Sequence, residues 1–136
     1  MKLYVDKALG LTPEKVRLAG EFTLFCADSL PIENDFKVYL VSKREPHGIT
    51  TTAVYEVKNN CCRIYAKNRS FPDVLRSVAH EMTHMMQDEL GLINGPIRDA
   101  GGFHEDQANA RAGELLKLFA KSDDSRKVIY ESKNRK

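Results

Sequence analysis

One five-residue pattern, His80-Glu81-Met82-Thr83-His84, constrains this chain more than any other feature of its sequence. On an α-helix, side chains at positions i and i+4 lie on one face, so the two imidazoles can reach a single metal ion. Zinc accepts neutral histidine nitrogens, and a catalytic zinc site keeps one position open for water. The glutamate that follows the first histidine can reach this water and take its proton. The pattern therefore requires a helix, with His80 and His84 as zinc ligands and Glu81 as general base.

The surrounding sequence predicts a complete helix from Phe71 to Gly91. Ser70 can cap its N-terminus, proline is tolerated in the first turn, and Gly91 can end it. At about 100° per residue, one side of this helix is apolar, with the residues Val74, Val78, Met82 and Met85. His80 and His84 fall on the opposite side beside Gln87, which favours a metal site over two histidines buried in a core.

A third ligand is predicted on a later helix, which runs from His104 to Lys121. Glu105 projects from the same side as the apolar Ala108 and Ala112, and a carboxylate there needs a partner because burying it alone is costly. An acidic residue at an ordinary helix N-terminus is the alternative explanation. Asn109, one turn later, can hydrogen-bond the second nitrogen of a liganding histidine. We therefore expect one Zn²⁺ per chain, because catalytic zinc usually keeps three protein ligands; these would be His80, His84 and Glu105.

These motifs together resemble the gluzincin metallopeptidases, in which HExxH is followed by Glu-x-x-Ala-Asp/Asn on a later helix. The site is similar to those of the CAAX prenyl proteases and of the ImmA/IrrE-type peptidases, and the resemblance covers residues 71 to 121. It implies zinc binding by His80, His84 and Glu105, with Glu81 as general base and Asn109 in place of the family's second acidic residue. It also implies a twisted sheet that packs on the HExxH helix, with an edge strand bordering the cleft.

His104 is a rival third ligand. The stretch Gly101-Gly102-Phe103-His104 resembles the glycine-flanked histidine of SprT-like zinc peptidases, although Glu105 stands where that family has a glycine. His104 can alternatively donate a hydrogen bond to an oxyanion in the transition state. The other residues that the sequence offers for this role are Tyr55, Tyr65, Tyr130 and His47.

Length and composition predict one ordinary globular domain over residues 1–136. The formal net charge of +2 favours no nucleic-acid partner, and no apolar run approaches the roughly 20 residues of a membrane span. The first ten residues lack the apolar stretch of a signal peptide. An odd count of three cysteines, Cys26, Cys61 and Cys62, indicates reduced thiols. We therefore expect a cytoplasmic protein that acts on a peptide or protein substrate; the sequence leaves its oligomeric state open.

The remaining segments predict a helix, three strands and three irregular stretches. The helix begins at Thr12–Pro13 and ends before Pro31. A polar loop over residues 43–48, a glycine-containing loop over 92–103 and a loosely ordered tail over 122–136, in which residues 128–130 can dock, complete the chain. Residues rich in β-branched and aromatic types predict the strands, at Phe36–Ser42, Ile49–Val57 and Cys61–Ala66, the last two joined by a hairpin at residues 58–60.

The sequence therefore predicts an α+β domain of zincin-like architecture, with a twisted sheet packed on the HExxH helix and a following ligand helix. Its expected activity is hydrolysis of a peptide bond by a zinc-activated water and a glutamate general base. The alternative is a zincin-like protein-interaction module with a structural or vestigial metal site. An intact Glu81 favours the enzyme, because a structural metal site has no need of a base.

Overall fold

The structure is a computed structural model, and it describes residues 1–93 and 102–130. The strands are β1 (Lys2–Val5), β2 (Lys37–Val41), β3 (Ala53–Glu56) and β4 (Cys61–Tyr65), and the α-helices are α1 (Pro13–Ser29), α2 (Phe71–Glu89) and α3 (Phe103–Lys121). Short 3-10 segments lie at Lys7–Leu9, Glu45–His47 and Asp124–Tyr130. The predicted α+β class is confirmed, whereas its likeness to the zincins stays a prediction.

The four strands form one mixed sheet in the order β1-β2-β4-β3. Strands β1, β2 and β4 are parallel to their neighbours, and β3 pairs antiparallel with β4 at the edge. One face carries Tyr4 stacked on Tyr39 at 4.7 Å between ring centroids, with the Arg63 guanidinium over the second ring. Because side chains alternate along a strand, the other face holds the apolar residues that pack against the helices.

A single buried cluster joins this inner face to all three helices. It includes Phe22 of α1, Ile64 of β4, Leu75 of α2 and Phe119 of α3, each essentially inaccessible to water. The rings of Phe22 and Phe119 meet edge to face, with centroids 5.1 Å apart. The core therefore fixes α2 between the sheet on one side and α3 on the other.

Helix α1 has the predicted limits. The Thr12 hydroxyl accepts a hydrogen bond from the Lys15 amide at 3.2 Å, and Pro13 occupies the first turn. The helix ends at Ser29, ahead of Pro31, whose ring disfavours helical geometry in the residue before it. Both signals are local, which is why the sequence predicted them.

Helix α2 also begins where the sequence predicted, since the Ser70 hydroxyl accepts from the Asp73 amide at 3.3 Å. Gly91 follows the helix with a positive φ of 74°, a conformation that glycine adopts without strain. His84, on the side opposite the predicted apolar residues, is nevertheless buried and only 2 % exposed. Periodicity identified the side that faces the sheet, but α3 covers the opposite side.

The strands differ from the predictions in two main respects. Strand β1 was not predicted, and β3 begins at Ala53 instead of Ile49. The hairpin between β3 and β4 is confirmed, with Lys58 and Asn60 at positive φ. In the predicted loose tail, residues 124–130 form a 3-10 segment, and the predicted docking of residues 128–130 is confirmed at Ile129, which is fully buried. Residues 131–136, and residues 94–101 of the predicted glycine-containing loop, lie outside the described residues.

Candidate metal centre

Helices α2 and α3 bring two imidazoles and one carboxylate to a common point. The Nε2 atom of His80 lies 2.7 Å from Oε1 of Glu105, and Nε2 of His84 lies 3.2 Å from Oε2 of the same side chain. The ligand atoms of the three residues all fall within 4.8 Å of one another, so the group can hold one metal ion. The structure thus joins the three residues that the two sequence motifs proposed as ligands.

The packing of α3 on α2 produces this convergence. His104 and Gln107 contact Gln87, and Glu105 contacts His84 and His80. Ala108 and Ala112 of α3 are fully buried.

A hydrogen bond from within α2 sets the orientation of His84. Its Nδ1 atom lies 2.9 Å from Oε1 of Gln87, a residue that is completely buried. The Gln87 amide nitrogen donates in turn to the His104 carbonyl at 3.0 Å and to Oε1 of Gln107 at 2.8 Å. Because the nitrogen end of this amide faces two acceptors, its oxygen end faces the histidine. The proton between them therefore belongs to Nδ1 of His84.

The donor set of the three residues fits a bound cation. Burial lowers the pKa of His84, so the ring is neutral near pH 7. With its proton on Nδ1, the ring directs the lone pair of Nε2 towards the Glu105 carboxylate. Two electron-rich atoms that face each other at 3.2 Å repel each other unless a positive charge lies between them. Two imidazole nitrogens and one carboxylate oxygen are also ligand types found in catalytic zinc sites.

Glu81 lies beside this group on the side of α2 that faces the sheet. Glu81 is 9 % exposed, and its Oε2 atom lies 3.9 Å from Nε2 of His80. Burial, followed by the negative charge of Glu81, raises the pKa of the Cys62 thiol in strand β4. Glu81 thus lies beside the group formed by His80, His84 and Glu105.

The group opens into a cleft of about 920 Å³. Residues 51–55 and Val57, which include the first three residues of strand β3, line one part of it, and a side of α2 that carries Arg76, Ser77 and His80 lines another. Glu105 and Asn109 of α3 line a third part. Strand β3 ends the sheet, and within residues 1–93 and 102–130 no other strand pairs with its outer edge.

The structure separates the two residues that competed for the third ligand position. Glu105 is in the group of ligand atoms, whereas His104 is not. The Nδ1 atom of His104 is buried and has no hydrogen-bond partner among the described residues, and the backbone carbonyl of His104 accepts from Gln87. Asn109 is exposed on the cleft wall, and the partner of the second nitrogen of His84 is Gln87 instead. Contact between Asn109 and a ring nitrogen of His80 stays a prediction.

Of the other four candidates for an oxyanion donor, only Tyr55 lines the cleft. Its hydroxyl donates to Oδ2 of Asp88 at 2.6 Å, so its hydrogen is directed away from the histidines. Tyr65 packs under the Arg44 guanidinium, and Tyr130 is 54 % exposed on the 3-10 segment. The structure therefore places none of these four beside the metal-ligand group with a free donor.

Sequence analysis placed Gln87 next to the histidines but assigned it no role. A signal for the role was present, because a glutamine three residues after a histidine lies on the same helical face and can reach its Nδ1 atom. The partners on α3 come from another helix and leave no local signal. Gln87 is the residue of the site whose importance only the folded structure reveals.

All three cysteines are free, as the odd cysteine count predicted, and the structure shows that all three are buried. Burial raises the pKa of Cys26 and of Cys62 well above the ordinary value for a thiol. They are therefore protonated at neutral pH and have little reactivity as nucleophiles or metal ligands.

Comparison of the chain with models of protein families, with curated proteins and with solved structures finds no match. Among the described residues, the structure has no helix with the length and apolar character that crossing a membrane requires.

Proposed function

We propose that this protein is a zinc-dependent peptidase that uses Glu81 as its general base. The observation that carries the proposal is the convergence of His80, His84 and Glu105 beside Glu81 in an open cleft. A purely structural metal site needs neither the carboxylate of Glu81 nor an approach for a substrate. Both features favour catalysis over metal-dependent stabilisation of the fold.

Zinc is the proposed metal because of the ligand types. Two imidazole nitrogens and one carboxylate oxygen match the three-ligand sets of catalytic zinc, which leave one position for water or substrate. When bound, zinc supplies a Lewis acid that lowers the pKa of water to roughly 7 and polarises a carbonyl group. His80 and His84 would hold it through Nε2, the atoms that face Glu105.

Glu81 is assigned the two proton transfers of hydrolysis. Its carboxylate takes a proton from the attacking water, and the oxygen of that water forms a bond to the carbonyl carbon. The same proton then passes to the nitrogen of the leaving amine as the carbon–nitrogen bond breaks. The position of Glu81, beside His80 and in the lining of the cleft, suits a base that acts on a substrate bound there.

A peptide in extended conformation is the substrate that the cleft fits best. The outer edge of β3 offers backbone N–H and C=O groups to an added strand, which is a common mode of peptide recognition. The lining of the cleft includes residues of β3 together with His80 and Glu105. A peptide paired with β3 would therefore pass across the metal ligands.

The test compares zinc-loaded wild-type protein with the Glu81→Gln variant on a mixture of synthetic peptides analysed by mass spectrometry. We expect the wild type to cleave some of the peptides and Glu81→Gln to cleave none, with equal zinc content in both. Glu14→Gln is the matched control, since it removes one exposed carboxylate on α1 outside the cleft. It should retain full activity.

Two outcomes would overturn the proposal. Full activity of Glu81→Gln would remove the general base from the mechanism. A wild-type protein that holds zinc yet cleaves no peptide would favour the interaction module with a structural metal.

A further inference from the structure

We propose that Gln87 is a positioning residue of the metal centre. One buried amide holds the proton of His84 on Nδ1 and at the same time fixes the first turn of α3, which carries Glu105. This inference rests on the proposed function for its purpose, because a defined tautomer matters most where Nε2 binds a metal. The hydrogen bonds on which the inference is based join protein groups only and need no metal.

The hydrogen-bond partners of the Gln87 amide determine its orientation. A glutamine has one acceptor oxygen and two donor hydrogens at opposite ends of the group. The nitrogen faces the His104 carbonyl and the Gln107 side-chain oxygen, both of which accept hydrogen bonds. Reversing the amide would place its oxygen against the His104 carbonyl oxygen, which has no hydrogen to donate. The orientation is therefore determined, and only the oxygen is left for His84.

The orientation of the Gln87 amide in turn selects the tautomer of His84. Because Gln87 can only accept from Nδ1, the Nδ1–H tautomer of the neutral ring is stabilised. This tautomer leaves the lone pair of Nε2 pointing towards Glu105 and available to a metal. The other tautomer would place a hydrogen on the ligand atom and two lone pairs between His84 and Gln87.

Gln87 also holds the backbone next to Glu105 in position. The carbonyl that Gln87 binds belongs to His104, the residue directly before Glu105, so the backbone at Glu105 is anchored to α2. Gln87 is 0 % exposed, and water cannot replace any of its hydrogen bonds at low cost. One side chain thus orients a ligand on each helix, although it touches neither the cleft nor a substrate.

The test reads the tautomer of His84 directly, in metal-free protein labelled with ¹⁵N, from the chemical shifts of the two ring nitrogens. The spectra are recorded about two pH units above the ordinary histidine pKa of ~6.5, where the ring is neutral. We expect the proton on Nδ1 in the wild type. In Gln87→Met, which keeps the length of the side chain but has no amide, we expect a substantial share on Nε2.

Two control variants separate positioning from general destabilisation. Gln107→Met removes one acceptor from the far end of the Gln87 amide, so the tautomer should stay as in the wild type. Thr23→Val removes a buried hydroxyl that donates to the Ala19 carbonyl at 2.8 Å within α1, remote from the site. It should lower stability, as loss of a buried hydrogen bond does, and leave the His84 shifts unchanged.

Zinc affinity, measured by competition with a chelator, is the second readout. Gln87→Met should bind zinc about 10-fold to 100-fold more weakly than the wild type, as the loss of an outer hydrogen bond to a ligand does. Thr23→Val should bind zinc like the wild type. Circular dichroism of every variant confirms that it is folded.

The proposal is overturned if wild-type His84 carries its proton on Nε2, or if Gln87→Met keeps the wild-type tautomer, even with weaker zinc binding. A wild-type protein that binds no zinc would instead refute the proposed function. The tautomer comparison would still decide the role of Gln87, because it needs no metal.

Discussion

The hydroxyl of Tyr55 donates a hydrogen bond of 2.6 Å to Oδ2 of Asp88, and so joins the strand that borders the cleft to the last turn of α2. The same carboxylate accepts from the Lys58 amide at 2.7 Å and pairs with the Lys58 ammonium at 3.1 Å. Asp88 therefore binds both the edge strand β3 and the turn that follows it. This carboxylate therefore connects α2 to β3, a strand that has no neighbour on its outer side within the described residues.

Replacing Tyr55 by phenylalanine tests this connection. Tyr55→Phe keeps the buried ring and leaves the Asp88 carboxylate without one donor, so we expect a loss of about 1.5–3 kcal/mol in the free energy of unfolding. Urea denaturation followed by circular dichroism measures it. Tyr130→Phe is the control, since that tyrosine is 54 % exposed, and it should unfold like the wild type. Equal stability of Tyr55→Phe and wild type would contradict the connection.

The Asp88 carboxylate should also make stability depend on pH. Burial alone would raise the pKa of Asp88, but the hydrogen bonds from Tyr55 and Lys58 and the ammonium of Lys58 outweigh it and lower the pKa. A carboxyl whose pKa is lower in the folded state stabilises the fold above its unfolded pKa of about 3.9. This stabilisation is lost as the pH falls through the folded pKa.

Urea denaturation of the wild type and of Asp88→Asn at a series of pH values measures this contribution. The difference between their unfolding free energies should be constant above about pH 5 and should shrink as the pH falls below about 3.9. Subtracting the two curves cancels the contribution of other carboxyls whose pKa is lowered, among them Asp6 and Asp35. A difference that does not change with pH would show that Asp88 titrates alike in both states.

The zinc content of variants can identify the third metal ligand. Glu105→Ala removes a side chain that contacts both histidines, so most of the zinc should be lost; His80→Ala and His84→Ala should lose it as well. His104→Ala should retain zinc, because His104 lies outside the group of ligand atoms. Elemental analysis of dialysed, folded protein gives the answer.

Asp106→Ala is the matched control for this comparison, since it removes an exposed carboxylate from the same turn of α3. It should keep its zinc. The reverse pattern, with an empty site in His104→Ala and a full one in Glu105→Ala, would replace the gluzincin-like ligand set with the SprT-like one.

The N-terminal cap of α2 should contribute measurably to the stability of the helix that carries the histidines. Ser70→Ala removes the acceptor of the Asp73 amide, and we expect a loss of about 1 kcal/mol, the typical cost of an N-cap serine. Ser125→Ala changes an exposed serine at the 3-10 segment and serves as the control. Thermal unfolding measures both variants. Equal midpoint temperatures for Ser70→Ala and Ser125→Ala would show that the cap does not contribute to stability.

Local signals in the sequence predicted a good part of the fold. Thr12 and Ser70 cap their helices as expected, and the turn at Lys58–Asn60 joins two antiparallel strands. Such signals act within a few residues and need no knowledge of the rest of the chain. Glu105 was predicted beside the histidines by a different kind of reasoning, because a carboxylate on the apolar side of a helix requires a partner.

Features that depend on distant parts of the chain were not predicted. Strand β1 is only four residues long, and its parallel pairing with β2 joins Lys2 to Lys37 across helix α1. The burial of His84 arises from α3, a second layer that the periodicity of one helix cannot reveal. The bonds from Gln87 to α3 and from Tyr55 to Asp88 likewise link separate elements.

Alkylation of the three buried thiols can measure how often the parts of the core around them open to solvent. Only the thiolate reacts with an alkylating agent, and burial raises the pKa of Cys26, Cys61 and Cys62, so the closed protein is protected. Alkylation then proceeds at the frequency with which each part of the core opens to solvent. Cys62 lies next to Glu81 in the layer between β4 and α2, whereas Cys26 lies in α1. The rates at these two positions therefore compare the local opening of the layer that contains Glu81, the proposed general base, with that of the core beneath the first helix.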